Sequence, residues 1–306
     1  MYEKGQWPED FIKAIIVTLP KKTNTMECKE HWKLSLITHA SKIMLNVLTR
    51  RVESKANHFI GKTQFGFRRG CGTRDAIVTL RMLYERCLEH DQTVFVCFVD
   101  YEKAFDRVNW TKFMEILKTI GVDWHDRRMI SRLYMHQEAV VRVNDEVTEP
   151  AIIGRGVRQG CLLSPILFSI YAEMMMIEAL DGIEEGVLAG GVLLKDINFA
   201  DDQAMVASSE DGLQKMMDSL DVTGRRYDMK INVKKTKPMS ISRRGGVKLH
   251  IEIYGNTVEQ VKKFRYLRAL VTEDGRCEAE IKARVAMAKK AFNNKIELLT
   301  QIMDRS

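Results

Sequence analysis

The sequence predicts an α+β fold of two or three sub-domains around a cleft, and three observations carry that prediction. Val94-Phe-Val-Cys-Phe-Val99 is an unbroken apolar run with the length and β-branched, aromatic content of a buried strand, and it ends on Asp100. Apolar runs from Val192 to Phe199 and from Ala204 to Ala207 flank Asp201-Asp202-Gln203, which reads as a tight hairpin with the acids at its tip. Segments with helical spacing of apolar residues lie between and beyond these strands, and 306 residues exceed what one compact core usually holds. A carboxylate ending a buried strand, beside a carboxylate pair on a hairpin, suits two divalent cations that clamp the attacking and leaving oxygens of a phosphoryl displacement. Asp-Asp is also ordinary surface turn chemistry, so the remaining chain has to decide between the two.

The composition, 45% hydrophobic and 29% charged, is that of a globular protein rather than a disordered one. A net charge of +7 and a pI near 9.0 favour a polyanionic partner such as nucleic acid. No run of ~18 apolar residues is present, so no membrane span is indicated. The N-terminus lacks the apolar core of a signal peptide, and the chain reads as not secreted. Cys28, Cys71, Cys87, Cys97, Cys161 and Cys277 form no Cys-x-x-Cys pair and precede no His pair, so neither a zinc site nor a disulfide framework is suggested, and a reducing, intracellular location fits. Cys97 and Cys161 sit in apolar stretches and read as small core residues.

Taken in order, Phe11 to Pro20 reads as a strand, and Asn24 to His31 as a polar loop. Ser41 caps a helix with apolar positions 43, 44, 45, 47, 48 and 52. Gly61 to Arg74 is a glycine-punctuated loop in which Lys62, Arg68, Arg69 and Arg74 interleave with Phe65 and Phe67, a pattern that suits phosphates and bases and equally a solvated loop with two anchoring aromatics. Thr73 caps an amphipathic helix from Asp75 to His90. Beyond Asp100, helices are expected from Trp110 to Ile120, ended by Gly121, and around Arg127 to His136, then a strand from Ala139 to Val143. A second basic glycine-rich loop, Gly154 to Cys161, opens onto Ser164-Pro165 as cap and first helical residue of a helix to Leu180, with Met174 to Met176 as core. After the hairpin come a helix from Leu213 to Tyr227, a basic strand or turn from Met229 to Pro238, and a composition change at Gly245-Gly246. Strands around Leu249–Tyr254 and Phe264–Val271 and a basic helix from Glu278 to Leu299 complete the chain.

In this order the motifs resemble those of the reverse transcriptases of non-LTR retrotransposons, the long interspersed element class, over nearly the whole chain. Phe98-Val-Asp-Tyr-Glu-Lys-Ala-Phe-Asp-Arg-Val108 is similar to the family's first palm motif, and Gly156-Val-Arg-Gln-Gly-Cys-Leu-Leu-Ser-Pro-Ile-Leu-Phe168 to its second. Phe199-Ala-Asp-Asp202 is similar to the third and Ile231-Asn-Val-Lys-Lys-Thr236 to the fourth. The resemblance implies a right-hand polymerase fold: fingers over 1–90, a palm of antiparallel sheet packed on helices over 91–245 with part of the fingers inserted, and an incomplete thumb or connection over 246–306. It implies an RNA-directed DNA polymerase in which Asp100, Asp201 and Asp202 hold two Mg²⁺ ions, with Mn²⁺ as a substitute, and extend a DNA primer on an RNA template with deoxynucleoside triphosphates. Phe105 matches the steric gate against a ribose hydroxyl. Gln159 and Gly160 match the nucleotide pocket, Lys235 the lysine that protonates the leaving pyrophosphate, and Asp106 a structural position. Arg68, Arg69, Arg74 and Tyr266, the last in the primer-grip motif, are the expected nucleic-acid contacts.

The departures are as specific as the matches. Trp32 stands where relatives carry a fingers arginine for the triphosphate, a loss worth ~1.5–3 kcal/mol unless Lys33 or Lys21-Lys22 substitutes. Arg268 replaces the glycine of Tyr-Leu-Gly, and Asp228 the glycine before the fourth motif. The resemblance implies an upstream endonuclease domain in intact elements, so the chain is expected to be a fragment of such an element. The alternative is therefore a catalytically silent, nucleic-acid-binding remnant of a transposon copy. RNA-dependent RNA synthesis is a third reading, and Phe105 argues against it. Nuclear action is expected from how such elements integrate.

Overall fold

The computed structural model describes residues 2–22, 25, 27, 30–135, 137–143 and 146–296. The chain opens with one helical turn, α1 (Glu9–Ile12), and β1 (Ala14–Pro20), so the strand expected from Phe11 begins three residues later. β2 (His31–Leu36) pairs antiparallel with β1, and of the polar loop before it residues 23, 24, 26, 28 and 29 lie outside the described residues. α2 (His39–Phe59) buries Leu45, Leu48, Val52 and Ala56 on one stripe. Its cap is Thr38, whose Oγ1 accepts from Ser41 N at 3.2 Å; Ser41 itself lies in the first turn, buried. α3 (Thr73–Glu89) takes in its expected cap as its first residue, with Gly72 as cap and the Asp75 carboxylate accepting from Gly72 N at 2.7 Å.

β3 (Val94–Val99) follows, then α4 (Ala104–Arg107), α5 (Trp110–Thr119) and α6 (Trp124–Tyr134); His136 lies outside the described residues. β4 (Glu138–Val143) joins β1 in parallel and carries the short strands β5 (Glu146–Val147) and β6 (Ala151–Ile152). α7 (Ser164–Leu180) is apolar nearly all round and buried accordingly, Met175 and Met176 included. Leu163, not Ser164, occupies its cap position; the Ser164 hydroxyl lies 3.0 Å from Tyr134 Oη. The run from Val192 breaks at Lys195: β7 (Val187–Ala189) and β8 (Val192–Leu194) form a side hairpin, and only β9 (Asp196–Phe199) pairs with β10 (Asp202–Ala207).

α8 (Glu210–Arg226), capped by Ser209, leads to β11 (Lys237–Ile241). β12 (Glu252–Ile253) and β13 (Asn256–Thr257) form a two-stranded ribbon. Phe264–Val271 is not one strand but a hairpin of β14 (Lys263–Tyr266) and β15 (Ala269–Thr272), because Leu267 and Arg268 turn the chain with φ of +48° and +69°. α9 (Glu278–Asn293) buries none of its residues, and residues 297–306 lie outside the described residues.

An antiparallel sheet ordered β11-β3-β10-β9 is the centre of the molecule. Cys97 and Val99 of β3, with Met205 and Ala207 of β10, face the core built with α2, α5, α6, α7 and α8. Val94, Val96 and Phe98, with Ala204 and Val206, face a second core made with α3 and the β14-β15 hairpin, where Phe264 stacks on Phe98 at 4.3 Å. Both faces of β3 are covered, which is why its sequence is apolar without alternation. The mixed sheet β2-β1-β4-β5 lies apart from it. Among the described residues no helix is long and apolar enough to cross a membrane, and Cys71, Cys87, Cys97, Cys161 and Cys277 are free, with Cys97 and Cys161 buried.

Candidate active site

The end of β3 fixes the site. Gln203 pairs with Val99, so continuing the register by one step sets Asp202 beside Asp100. On the other side, the segment after α8 runs back along residues 100–102. Asn232 N donates to Asp100 O at 2.8 Å, Tyr101 bridges Ile231, and Asp100 N lies 3.3 Å from Thr236 Oγ1. This pairing delivers Lys235, whose Nζ stands 3.4 Å from Asp100 Oδ2. The hairpin turn is Ala200-Asp201, with Phe199 opposite Asp202; Asp202 is therefore the first residue of β10 rather than part of the tip, and Gln203 is a buried strand residue.

The carboxylates feel one another. Burial, then the charge of Asp100, raises the Asp201 carboxyl above the ordinary carboxylate range, with Lys235 opposing. Burial first, then Asp201 and Asp100, pushes Asp202 up to about 6. Asp202 is exposed at its surface side, so solvent screens part of that repulsion. Asp100 Oδ2 is buried and accepts no hydrogen bond.

Those features test whether the residues fit a divalent cation. Among the described residues no three His, Cys, Asp or Glu side chains already enclose a metal-sized hole. The donor set is nevertheless all oxygen and anionic, and the buried Asp100 Oδ2 makes no hydrogen bond and has only the Lys235 ion pair at 3.4 Å. Mg²⁺ keeps several waters and takes one or two carboxylates plus substrate phosphates, so an open cluster of this kind suits it better than a closed cage. The residues fit.

Around the carboxylates, the Phe105 ring stacks on Phe168 of α7 at 4.4 Å and meets Phe67 edge-on at 6.4 Å. The second glycine-rich loop leans on β2: Ser35 N donates to Gln159 O at 2.9 Å, and Gly160, at φ +94°, lies against Leu34. Gln159 lines a cavity of about 600 Å³ with Lys33, Ser35 and Asp106, whereas Gly160 and the three aspartates do not. Arg69 and Arg74 are exposed, but Arg68 turns inward and donates to Gly61 O at 2.8 Å. Tyr266 is buried, 3% exposed, with its hydroxyl donating to Ile197 O at 2.9 Å. As placed, it pins its hairpin to the central sheet instead of offering nucleic acid a surface.

Trp32 is 56% exposed and pairs across the ladder with Leu19. Lys33 cannot stand in for the missing arginine from where it lies. Strand alternation puts it on the opposite face, ion-paired with Asp106 at 3.3 Å. Lys22 is engaged with Glu30 at 3.0 Å. Residue types alone did not single out Gln64, Gly66, Tyr101 and Gln203, which brace the hairpin. Gln64 Oε1 accepts from Ala200 N at 2.9 Å, and Tyr101 Oη donates to Gln203 Oε1 at 2.7 Å. Buried carboxamides leave no sequence signature beyond a polar residue in an apolar setting.

Compared with known proteins, residues 19–268 match the family described as reverse transcriptase (RNA-dependent DNA polymerase). The chain is 25% identical over 238 residues to the retrovirus-related Pol polyprotein from type-1 retrotransposable element R2 of Popillia japonica, covering 76% of this chain and 33% of that one. It is 22% identical over 261 residues to the RNA-directed DNA polymerase from mobile element jockey of Drosophila funebris, covering 84% and 28%. The chain thus spans a third or less of the length of these curated relatives. Among solved structures, apo telomerase from Candida tropicalis, truncated from its C-terminal domain, matches 87% of this chain and 54% of its own, with a TM-score of 0.61 at 13% identity, a likeness of fold.

Proposed function

The chain belongs to the reverse transcriptase (RNA-dependent DNA polymerase) family, and from that premise we propose that it extends a DNA primer along an RNA template with deoxynucleoside triphosphates. One observation carries the reading: Asp100, Asp201, Asp202 and Lys235 converge at the end of the central sheet, with the carboxyls of Asp201 and Asp202 raised by burial and mutual repulsion. Asp100, Asp201 and Asp202 would hold two Mg²⁺ ions, for which Mn²⁺ can substitute, and the chemistry those ions supply is activation of the primer hydroxyl and charge neutralisation at the departing pyrophosphate. Lys235 neutralises Asp100, and its ammonium, largely exposed, is free to turn and donate a proton to pyrophosphate. The Phe105 ring, backed by Phe168, supplies the wall against a 2′-hydroxyl. Arg69 and Arg74 supply phosphate contacts. The proposed division is fingers over 1–90, palm over 91–245 and thumb or connection over 246–306, with action in the nucleus and an endonuclease domain elsewhere in the intact element.

The test is primer extension on an RNA template with Mg²⁺, beside Asp201→Asn. Template-dependent extension that disappears in the variant supports the proposal; extension that survives it sinks the assignment of the aspartates. A nucleic-acid-binding remnant is the second reading. The observation that favours it is Trp32, uncharged and exposed, with Lys33 committed to Asp106 on the other face. Tight primer–template binding with no extension by folded protein would select the remnant.

A further inference from the structure

Gln64 lies in the basic loop after α2, yet its side chain is wholly buried. Its Oε1 accepts two backbone N–H groups, from Gly66 and from Ala200, each at 2.9 Å. Around it the loop adds itself to the free edge of β9. Gln64 bridges Asn198 in parallel, Phe65 N donates to Asn198 O at 2.8 Å, and Asn198 N donates to Thr63 O at 2.8 Å. Gly66 approaches the aspartate turn so closely that a Cβ there would stand 2.3 Å from Ala200 N, and Ser169 of α7 donates to Gly66 O at 3.2 Å from behind.

Ala200 is the strained residue of that turn. Its φ is +59°, a left-handed conformation unfavourable to a residue with a Cβ. The β9-β10 pairing begins at Phe199 and Asp202, so the Ala200 amide has no partner across the hairpin. A buried amide needs an acceptor, and Gln64 Oε1 is that acceptor. Asp201 follows directly and Asp202 opens β10 opposite Phe199, so this bond and the ladder together set the direction in which the two carboxylates leave the turn. Resting on the polymerase reading above, we infer that Gln64 is a positioning residue for the metal-binding carboxylates, holding Ala200 left-handed so that Asp201 and Asp202 face Asp100. Gln64 touches no reacting atom and acts only through the backbone of the turn. Because the same loop carries Arg69 and Arg74, the element that holds the turn is also the one offered to the template backbone.

Two variants of the full chain separate positioning from plain packing: Gln64→Met matches the length without an acceptor, and Gln64→Glu keeps oxygens for both amides. Hydrogen exchange at the Ala200 amide needs no activity; kcat and KM in Mg²⁺-dependent extension read the consequence. Gln64→Met should speed exchange at Ala200 by ~100-fold or more while Met205 and Val206 stay protected. It should lower kcat by ~10–100-fold with KM and primer–template Kd changed by less than ~3-fold. Gln64→Glu should restore Ala200 exchange to within ~5-fold of the parent, since the acceptor is back, whereas its buried charge beside Asp201 and Asp202 leaves kcat below the parent. Unchanged Ala200 exchange in Gln64→Met overturns the inference, as does a loss confined to primer–template Kd, which would make Gln64 part of the grip. If Gln64→Met does not fold, Gln64→Asn replaces it: its oxygen falls short by a methylene, the same loss is expected, and parental exchange and kcat overturn the inference. A parent chain that extends no primer refutes the polymerase reading alone, and Ala200 exchange still decides the role of Gln64.

Discussion

At the scale of single residues, two of the departures from the family motifs, unlike Trp32, are backbone problems. Arg268 and Asp228 replace glycines, and both stand at left-handed φ, +69° and +53°. The motif comparison made the substitutions legible; the sign of φ was not, because it is set by the two-residue turn between Tyr266 and Ala269 and by the exit from α8. Asp228 tolerates the conformation better, and its carboxylate accepts from Asn109 Nδ2 at 2.8 Å. Arg268 has no such compensation through its side chain, which is exposed, and its hairpin turn favours glycine at that position. Arg268→Gly should therefore stabilise the protein by about 1 kcal/mol, after allowing for glycine's greater unfolded entropy, as urea denaturation would register; Asp228→Gly should gain less or lose. Glu173 gives a pH prediction. Burial in α7, with Asp196 adding to it and Gly61 N and Arg68 opposing, raises its carboxyl from 4.5 to about 7. A carboxyl with a raised folded pKa binds more protons folded than unfolded, so its contribution is complete below about 4.5 and is lost as pH rises to about 7. Glu173→Gln should accordingly gain stability at pH 8 relative to pH 5, by up to ~3 kcal/mol; thermal unfolding at the two pH values measures the difference.

At the scale of elements, the sequence named β3, α5, α7 and α8 within a few residues, because α5 and α8 repeat apolar residues at helical spacing and β3 and α7 are apolar nearly throughout. The ends went astray where a side chain was assigned a cap by its type. Ser41, Thr73 and Ser164 each lie inside the helix, because Thr38, Gly72 and Leu163 take the cap positions before them. The second glycine-rich loop shows why charge alone misleads. Arg158 looks like part of a basic surface, yet it is 6% exposed and donates to Phe11 O at 3.0 Å and Leu133 O at 3.2 Å as well as to Ile12 O. It ties the loop to the C-terminal ends of α1 and α6, satisfying carbonyls that those helix ends leave free. Arg158→Met should cost about 2–4 kcal/mol through stranded buried carbonyls. Urea unfolding would show it, and a variant as stable as the parent would mean that water replaces the guanidinium.

At the scale of the whole molecule, the net charge and the glycine-rich loops of the sequence point to nucleic acid, but they do not say which cations are free to bind it. The loop from Gly61 to Arg74 does two jobs whose division depends on contacts far away in sequence. Its first half becomes an added strand against β9, with Arg68 turned back onto Gly61, while Arg69 and Arg74 stay open to solvent. No local pattern separates these arginines, since what distinguishes Arg68 is the fold of its own loop beside Glu173 on α7. If primer–template binding releases counterions at each phosphate contact, log K falls with log salt by about 0.7–0.9 per contact. The double variant Arg69→Gln/Arg74→Gln should then flatten that slope by about 1.4–1.8, with folding intact. Arg68→Gln should lower the unfolding temperature and leave the slope where it was. A slope unmoved by the double variant would shift the nucleic-acid surface away from this loop. It would also part the two jobs assigned here to one element, leaving the loop as a brace for the aspartate turn and nothing more.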